Sequence, residues 1–118
     1  MENPVVWFEV MGQDADKLRS FYGELLGWKF QTDNPMNYGM VDAGEGGIGG
    51  GIGQAPPDAR GWATFYTKVS DLEGVVGRAE ALGSRVLMPP TNLPDTRIAV
   101  VTDPEGNAVG ICADHQSA

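Results

Sequence analysis

The chain has 118 residues, a formal charge of −8 and a pI near 4.4. This length forms one domain with a modest core, and the acidity disfavours nucleic acid and anionic membrane surfaces as partners. A single cysteine precludes an intrachain disulfide, and without a basic N-terminal leader or a membrane-length apolar run the sequence predicts a cytoplasmic protein.

The first half of the sequence predicts one helix among several strands. The helix is capped by Asp14 or Asp16, stops at Gly27, and carries an apolar stripe expected to face the core. The stripe consists of Ala15, Leu18, Phe21, Tyr22, Leu25 and Leu26. Strands are predicted over 4–11, 28–31, 38–42 and, weakened by glycine, within 44–53.

The second half repeats this order after a proline-containing linker, 55–61. Its helix is expected to begin with a capping box formed by Ser70 and Glu73, and to stop at Gly83. The residue types from Asp103 to Gly106 predict a type I turn between the last two strands. The helical stripe consists of Leu72, Val75, Val76, Ala79 and Leu82, and strands are predicted over 62–69, 85–88, 96–102 and 108–113.

The fold class is therefore α+β, with two βαβββ modules in one domain of residues 1–118. Module one covers about 1–54 and module two about 62–114. Because two similar halves repeat one scaffold, the pattern constrains architecture more strongly than chemistry.

Three segments carry a resemblance to a known family. They are Phe21-Tyr22-Gly23-Glu24-Leu25-Leu26-Gly27-Trp28 after Asp14, Val69-Ser70-Asp71-Leu72 with Ala81-Leu82-Gly83, and Asp103-Pro104-Glu105-Gly106-Asn107. In order and spacing the chain resembles the vicinal oxygen chelate superfamily of glyoxalases, bleomycin-resistance proteins and dioxygenases. Within it, the chain is most similar to metal-poor, antigen-like members. The resemblance implies strongly bent sheets around a cleft, in a homodimer.

The resemblance also implies where a metal would lie. Metal-dependent members place a histidine, glutamate or glutamine on the first strand of each half and a glutamate on each last strand. The first-strand positions correspond to Trp7 and Thr64. The last-strand position corresponds to Gly110 in the second half and lies within the tract 44–53 in the first. Tryptophan and glycine offer no ligand atom, and threonine offers only a neutral hydroxyl.

The chain's histidine content agrees with that implication, because its one histidine, His115, lies near the C-terminus. We therefore expect neither metal nor cofactor. The alternative is a metal site rebuilt from Glu9, Asp42 or Cys112.

Glu9 is the most informative polar residue of the first strand. Alternation places Trp7, Glu9 and Met11 on one face, away from the face expected under the helix. A carboxylate there needs a partner, because an unpaired buried charge is costly. It could anchor a ligand or act as a general base, or it could form an ion pair with Lys68, Arg97 or a residue of a dimer mate.

Aromatic residues on the matching faces of both halves could line a pocket for a flat or cationic ligand. The alternative is that they are ordinary core residues. The predicted ligand-binding set is Trp7, Glu9, Tyr38, Met40, Trp62, Thr64 and Tyr66.

Two other features predict no chemistry of their own. Residues 44–49 match G-x-G-x-x-G by letter, but glycine and then proline follow instead of the helix that a dinucleotide site requires. Cys112 lies on the last predicted strand and is interpreted as a small buried hydrophobe, because a thiol nucleophile would need a neighbouring base.

The sequence therefore predicts a metal-independent small-molecule-binding protein, homodimeric, that sequesters a cationic or aromatic compound. The most concrete form of this prediction is antibiotic sequestration of the bleomycin-resistance kind. One alternative is a lyase, isomerase or dioxygenase of the same superfamily, with a rebuilt metal site or with Glu9 alone as base. Another is a dimeric protein without a ligand. Whether the chain is an enzyme stays open at this stage.

Overall fold

A computed structural model describes residues 2–34, 38–42 and 44–115. Its elements follow the order βαβββ twice, which confirms the α+β class and the two modules. The first module contains β1 (Val5–Gly12), α1 (Ala15–Leu26), β2 (Phe30–Gln31), β3 (Gly39–Val41) and β4 (Gly49–Gln54). The second contains β5 (Trp62–Lys68), α2 (Leu72–Ala81), β6 (Val86–Asn92), β7 (Arg97–Thr102) and β8 (Ala108–Ala113).

The chain divides into two compact units, one of residues 7–64 and one that joins the residues up to Val6 to those from Phe65 onward. The first unit has the strand order β2-β3-β4-β1, and the second has β5-β8-β7-β6. In each, the first and last strands of a module pair in parallel, β1 with β4 and β5 with β8. Each parallel pair is connected through a helix and an antiparallel hairpin, as parallel pairing requires.

The core of the second unit lies between α2 and the strands β7 and β8. Leu72 is 1% exposed and Ala99 is fully buried. Burying a leucine side chain contributes about 1.5–3 kcal/mol relative to solvent exposure. The other core residues are Val69, Val76, Val101, Ile111 and Ala113.

α1 buries only part of the face that the sequence predicted. Ala15 is buried and Leu18 is partly buried, as predicted, whereas Phe21, Leu25 and Leu26 are 55%, 63% and 50% exposed. Arg19, outside the predicted stripe, is buried: its aliphatic stem fills the space left by Gly39, and its guanidinium donates to the carbonyl of Ile52 and pairs with Asp16. A long basic side chain can cover apolar surface in this way while its charge stays paired, so the apolar pattern misassigned part of the buried face.

The caps of the helices agree only in part with the sequence. Asp14 caps α1 as predicted, and Gly27 adopts the left-handed conformation that ends it. At α2, however, the cap is Asp71, which accepts from the amide of Gly74. Glu73 is bound to Arg97 instead of completing a capping box.

The last residue of the predicted α2 stripe, Leu82, is 83% exposed because it is the C-cap and the helix no longer turns it inward. Gly83 follows with a φ of 96° and stops the helix as expected. The bond from the Gly106 amide to the Asp103 carbonyl, at 2.9 Å, confirms a β-turn at the predicted position.

Two strands differ in length from the prediction. β6 runs through Pro89 and Pro90 to Asn92, well past the predicted end. It is an edge strand with register shifts on either side of Met88, and edges and bulges are where a sheet tolerates proline. β2 is shorter than predicted because only Phe30 and Gln31 pair with β3.

The segment predicted as a linker is tied to the β1–α1 junction. The Gln13 side chain donates to the carbonyls of Pro56 and Ala59, and the Ala55 amide donates to Gly12 at 2.8 Å. Among the residues that the structure describes, no helix is long and apolar enough to cross a membrane.

Candidate functional site

On one face of the sheet, β4 has no side chains beside the large side chains of β1. The parallel register aligns Trp7 with Gly49, Glu9 with Gly51 and Met11 with Gly53. Residues paired across strands point to the same side of a sheet, so the three large side chains of β1 lie beside three positions without a side chain. The glycines of β4 therefore lie on the same face of the sheet as Glu9.

Aromatic rings fill the space above these glycines. The Trp7 ring lies over Gly49, where a Cβ would stand only 3.0 Å from its Cζ3 atom. The Tyr38 ring covers Gly51 and extends to Gly53, where a Cβ would be 2.8 Å from Tyr38 Cδ1. A Cβ at Gly51 or Gly53 would be closer to the Tyr38 ring than real Cβ atoms come, and one at Gly49 would be in tight contact with Trp7, so glycine lets both rings approach the strand.

The ring of Phe8 covers the opposite face of β4, over Gly50. Ile52 points to that same face and is fully buried. Trp28 packs against Phe8 with a centroid separation of 5.3 Å and stacks on Tyr22 of α1 at 5.6 Å. Aromatic side chains therefore pack on both faces of β4. The Arg19 guanidinium lies on the Phe8 face, and the Glu9 carboxylate lies on the face that carries Trp7 and Tyr38.

Three predicted site residues are joined by hydrogen bonds. Trp7 Nε1 donates to the Tyr38 hydroxyl at 3.1 Å, and that hydroxyl donates to Glu9 Oε1 at 3.1 Å. All three side chains are partly exposed. The Glu9 carboxylate keeps acceptor capacity beyond its bond to the phenol, so it can also bind a cation or an N–H donor. The faces of the Trp7 and Tyr38 rings would attract the same cation.

Asn34 fixes the position of Tyr38. Its side-chain amide donates to the Tyr38 carbonyl at 2.7 Å, and its side-chain oxygen accepts from the Tyr38 amide at 2.9 Å. The sequence analysis missed this residue. The available signal was the ability of asparagine to hydrogen-bond main-chain groups near a turn.

Met40 and Met11 extend the same face. Met40 pairs with Gly51 in the antiparallel register and is 41% exposed. Met11 lies over Gly53, with its sulfur 3.2 Å from the position of a Cβ, so it meets the same glycine as the Tyr38 ring. Flexible thioethers suit a surface that must adapt to a ligand.

An open, mainly apolar groove of about 420 Å³ begins at Met11 and runs along the β1–α1 junction, between Leu18 and Phe21. The predicted set did not include this groove. Met11 lines the groove, but the α1 residues of the groove pack on the face of β1 that carries Gly12, opposite to the face that carries Glu9 and the Met11 side chain.

The remaining predicted site residues lie on β5. Trp62 and Thr64 are partly exposed, whereas Tyr66 is only 6% exposed. The Tyr66 ring covers Gly110, where a Cβ would lie 2.6 Å from Tyr66 Cδ2. Tyr66 therefore presents little surface to a ligand and fills the core of its own unit.

The cations proposed as partners for Glu9 each hold another carboxylate. Lys68 pairs with Asp114 at 3.2 Å. Arg97 binds Glu73 through two hydrogen bonds, one of them 3.0 Å long, and this contact holds the pKa of the Glu73 carboxyl below its usual value. Glu9 itself accepts a hydrogen bond from the phenol of Tyr38.

The strand registers identify the last-strand position that the sequence left open in the first half. On β5, Tyr66 is paired with Gly110 and follows Thr64 by two residues. On β1, the residue two after Trp7 is Glu9, and its partner on β4 is Gly51. Gly51 is therefore the counterpart of Gly110.

The four positions thus hold tryptophan, threonine and two glycines, which do not fit a divalent metal. Within residues 2–34, 38–42 and 44–115, no three His, Cys, Asp or Glu side chains are grouped so that they could hold an ion. The rebuilt site considered for Glu9, Asp42 and Cys112 has no such grouping in this part of the chain.

The two features expected to be inert have ordinary surroundings. The glycine-rich letters at 44–49 lead into β4 and not into a helix, so they lack the helix N-terminus that binds a pyrophosphate. Cys112 is partly buried on β8, and burial raises the pKa of its thiol.

The sequence profile of the Glyoxalase/Bleomycin resistance protein/Dioxygenase superfamily matches residues 5–111. The chain belongs to this superfamily. Among curated relatives, the "Putative glyoxylase CFP32" of Mycobacterium tuberculosis is 32% identical over 116 residues, and the protein of that name in Mycobacterium bovis has the same identity. The match covers 89% of this chain and 43% of either relative, so the chain spans less than half the length of the curated relatives it matches.

Solved structures share the fold. A superfamily member from Vibrio splendidus 12B01 superposes with a TM-score of 0.66 at 18% identity, covering 94% of this chain and 98% of that one. Methylmalonyl-CoA epimerase from Mycobacterium tuberculosis superposes with the same score at 13% identity, covering 95% of this chain and 88% of the epimerase. Identities this low establish the common fold and carry no substrate with them.

Proposed function

We propose that this chain binds a small cationic or aromatic compound without a metal, on the face formed by Trp7, Tyr38 and Glu9. The observation that carries the proposal is the hydrogen-bonded path from Trp7 through Tyr38 to the Glu9 carboxylate. It combines two ring faces with one anionic acceptor, the combination that binds organic cations. The net charge of −8 supports the same preference over a longer range.

Two methionines on the same face as Glu9 support a ligand with an apolar part. Met11 lies over Gly53, and the partly exposed Met40 is paired with Gly51, so both could contact a hydrocarbon or aromatic body whose basic group reaches Glu9. Sequestration of such a compound requires shape and charge complementarity only. This is the bleomycin-resistance type of activity that the sequence predicted.

The test is a thermal-shift screen with cationic and neutral aromatic compounds, matched in ring size. A ligand at about 100 times its dissociation constant should add about 2.7 kcal/mol to the free energy of unfolding. The Glu9→Gln variant should lose the preference for cationic compounds. Glu24→Gln, which removes an exposed carboxylate of α1, is the control of equal charge. A screen without a hit, or equal shifts in both variants, would contradict the proposal.

An enzymatic role is the second candidate, because the same hydrogen bond places a carboxylate beside a phenol. Glu9 could take a proton while Tyr38 donates one, which is general acid–base chemistry. The mycobacterial relatives are named as glyoxylases, and that name favours an isomerase or lyase reaction. Turnover that disappears in Glu9→Gln and persists in Glu24→Gln would favour this role over sequestration. Stoichiometric metal, lost in Glu9→Gln, would favour a rebuilt site.

We also propose that the protein is a homodimer. Phe21, Leu25 and Leu26 present apolar side chains to solvent on α1, and grouped exposed apolar residues often mark an interface. Native mass spectrometry of the tag-free protein tests this proposal, with Leu25→Lys as the disrupting variant. A monomer in the native protein would refute it.

A further inference from the structure

Both units contain the same pairing of a glycine with a tyrosine ring. In one, the Tyr38 ring covers Gly51, and in the other the Tyr66 ring covers Gly110. The two glycines occupy equivalent places in the parallel strand pairs, opposite Glu9 and Tyr66 respectively. The tyrosines come from different elements, since Tyr38 precedes β3 and Tyr66 belongs to β5.

In each case a side chain on the glycine would meet the ring. A Cβ at residue 110 would be 2.6 Å and 2.7 Å from two Tyr66 ring atoms, and also 2.7 Å from the carbonyl oxygen of Phe65. At residue 51, it would overlap three atoms of Tyr38, among them the hydroxyl oxygen. The space in front of each glycine is therefore filled, and even alanine cannot be accommodated without moving the ring.

We propose that Tyr38 and Tyr66 occupy the space into which a last-strand glutamate would project, so that this chain has exchanged a divalent-cation site for two ring-filled positions. Residues 51 and 110 thus have no metal-ligand atoms, and the tyrosine rings also block any side chain that would supply them. Restoring a carboxylate at residue 51 would displace Tyr38 and break its bonds to Trp7 and Glu9. This inference concerns packing and holds whether or not the proposed ligand binding is correct.

The two tyrosines differ in exposure and in the hydrogen bonds of their hydroxyl groups that the structure shows. Tyr66 is 6% exposed and closes its position. Tyr38 remains partly exposed, and its hydroxyl both accepts from Trp7 and donates to Glu9. In the first unit the Tyr38 phenol therefore occupies the place of a metal-bound glutamate. Its hydroxyl supplies the hydrogen-bonding group at that position.

The experiment is a double-mutant cycle with Gly51→Ala, Tyr38→Ala and the double variant, each unfolded by heat and by urea. Gly51→Ala alone should lower the melting temperature by about 5 °C or more. Overpacking a well-packed position usually destabilises a protein enough to cause a shift of this size in a domain of about 100 residues. In the Tyr38→Ala background the same change should cost less than half as much, because the ring that it meets is gone. Gly77→Ala is the control, since a Cβ there meets nothing within 4 Å and alanine favours the α2 helix.

A second measurement addresses the cation directly. Tag-free His115→Ala protein, which lacks the chain's one histidine, is dialysed against Zn²⁺, Ni²⁺ or Mn²⁺ and its metal content is measured by mass spectrometry. We expect less than about 0.1 ion per chain for each metal at ion concentrations where structural zinc sites are saturated. Retention of one ion per chain would overturn the inference. So would a Gly51→Ala cost that is the same with and without Tyr38, and neither result depends on any ligand.

Discussion

The Tyr38 hydroxyl donates a 3.1 Å hydrogen bond to the Glu9 carboxylate, from a residue that lies 29 positions later in the chain. The same hydroxyl accepts from Trp7, so one phenol connects the two chemically distinct side chains of β1. Its ring rests on a strand that has no side chain at that point.

Replacing Tyr38 by phenylalanine removes the hydroxyl and keeps the ring, so the two contributions can be distinguished. The ring should still cover Gly51, so the fold persists, but two hydrogen bonds are lost at a cost of about 1–2 kcal/mol in the free energy of unfolding. Urea denaturation measures the cost, and tryptophan fluorescence, to which Trp7 contributes together with Trp28 and Trp62, follows the unfolding. Tyr22→Phe, which alters a ring stacked on Trp28, is the control. An unchanged midpoint for Tyr38→Phe would show that the hydroxyl is not part of a network.

Replacing Asn34 by alanine removes both main-chain contacts that position Tyr38. We expect a loss of about 1–3 kcal/mol in the free energy of unfolding, because two partly buried main-chain groups lose their partners. Asn34→Asp keeps the acceptor for the Tyr38 amide and loses the donor to its carbonyl, so its midpoint should fall between those of the native protein and Asn34→Ala. Equal midpoints for the two variants would argue against this division of roles.

The Glu73–Arg97 pair predicts an acid dependence of stability. Hydrogen bonds from Arg97 hold the pKa of Glu73 below its usual 4.5. A lowered folded-state pKa adds stability that is present above pH 4.5 and is lost as the pH falls through the folded value. The melting temperature of the native protein should therefore fall more steeply than that of Glu73→Gln below pH 4.5. Glu80→Gln, on the same helix, should follow the native curve, and parallel curves for all three proteins would refute the assignment.

The Cys112 thiol should react slowly with alkylating reagents. Its burial raises its pKa above the usual 9.0, so little thiolate exists near neutral pH. Mass spectrometry after iodoacetamide treatment at pH 8 should show at least about tenfold slower labelling than in urea. The charge of Lys68 lowers the thiol pKa and that of Asp114 raises it. Lys68→Met should therefore slow labelling further, and Asp114→Asn should hasten it. The opposite order would contradict this account of the thiol.

Local signals in the sequence were sufficient for the element order. Asp14 caps α1, Gly27 ends it, and the turn from Asp103 to Gly106 forms as its residue types indicate. Each of these features depends on residues within a few positions of one another. The alternation along β1 likewise placed Trp7 and Glu9 together on one face, and the structure joins them through Tyr38.

Longer-range features were less accessible. No turn fixes the register between β1 and β4, because parallel strands are joined by a long crossover, so the alignment of Glu9 with Gly51 could not be derived in advance. The buried face of α1 was partly misassigned for a related reason. Arg19 is buried because Gly39, a distant residue, leaves room for its stem, and apolar periodicity gives no indication of such a partner.

β4 contributes a main chain and almost no side chains of its own, and this has a consequence for how the protein folds. Each glycine loses more chain entropy on ordering than any other residue, and on this strand only Ile52 offers a large apolar side chain in return. The segment gains stability chiefly when rings from β1 and Tyr38 are already in place to cover it. β4 should therefore be a late strand in folding, one that docks onto an aromatic surface prepared by its neighbours.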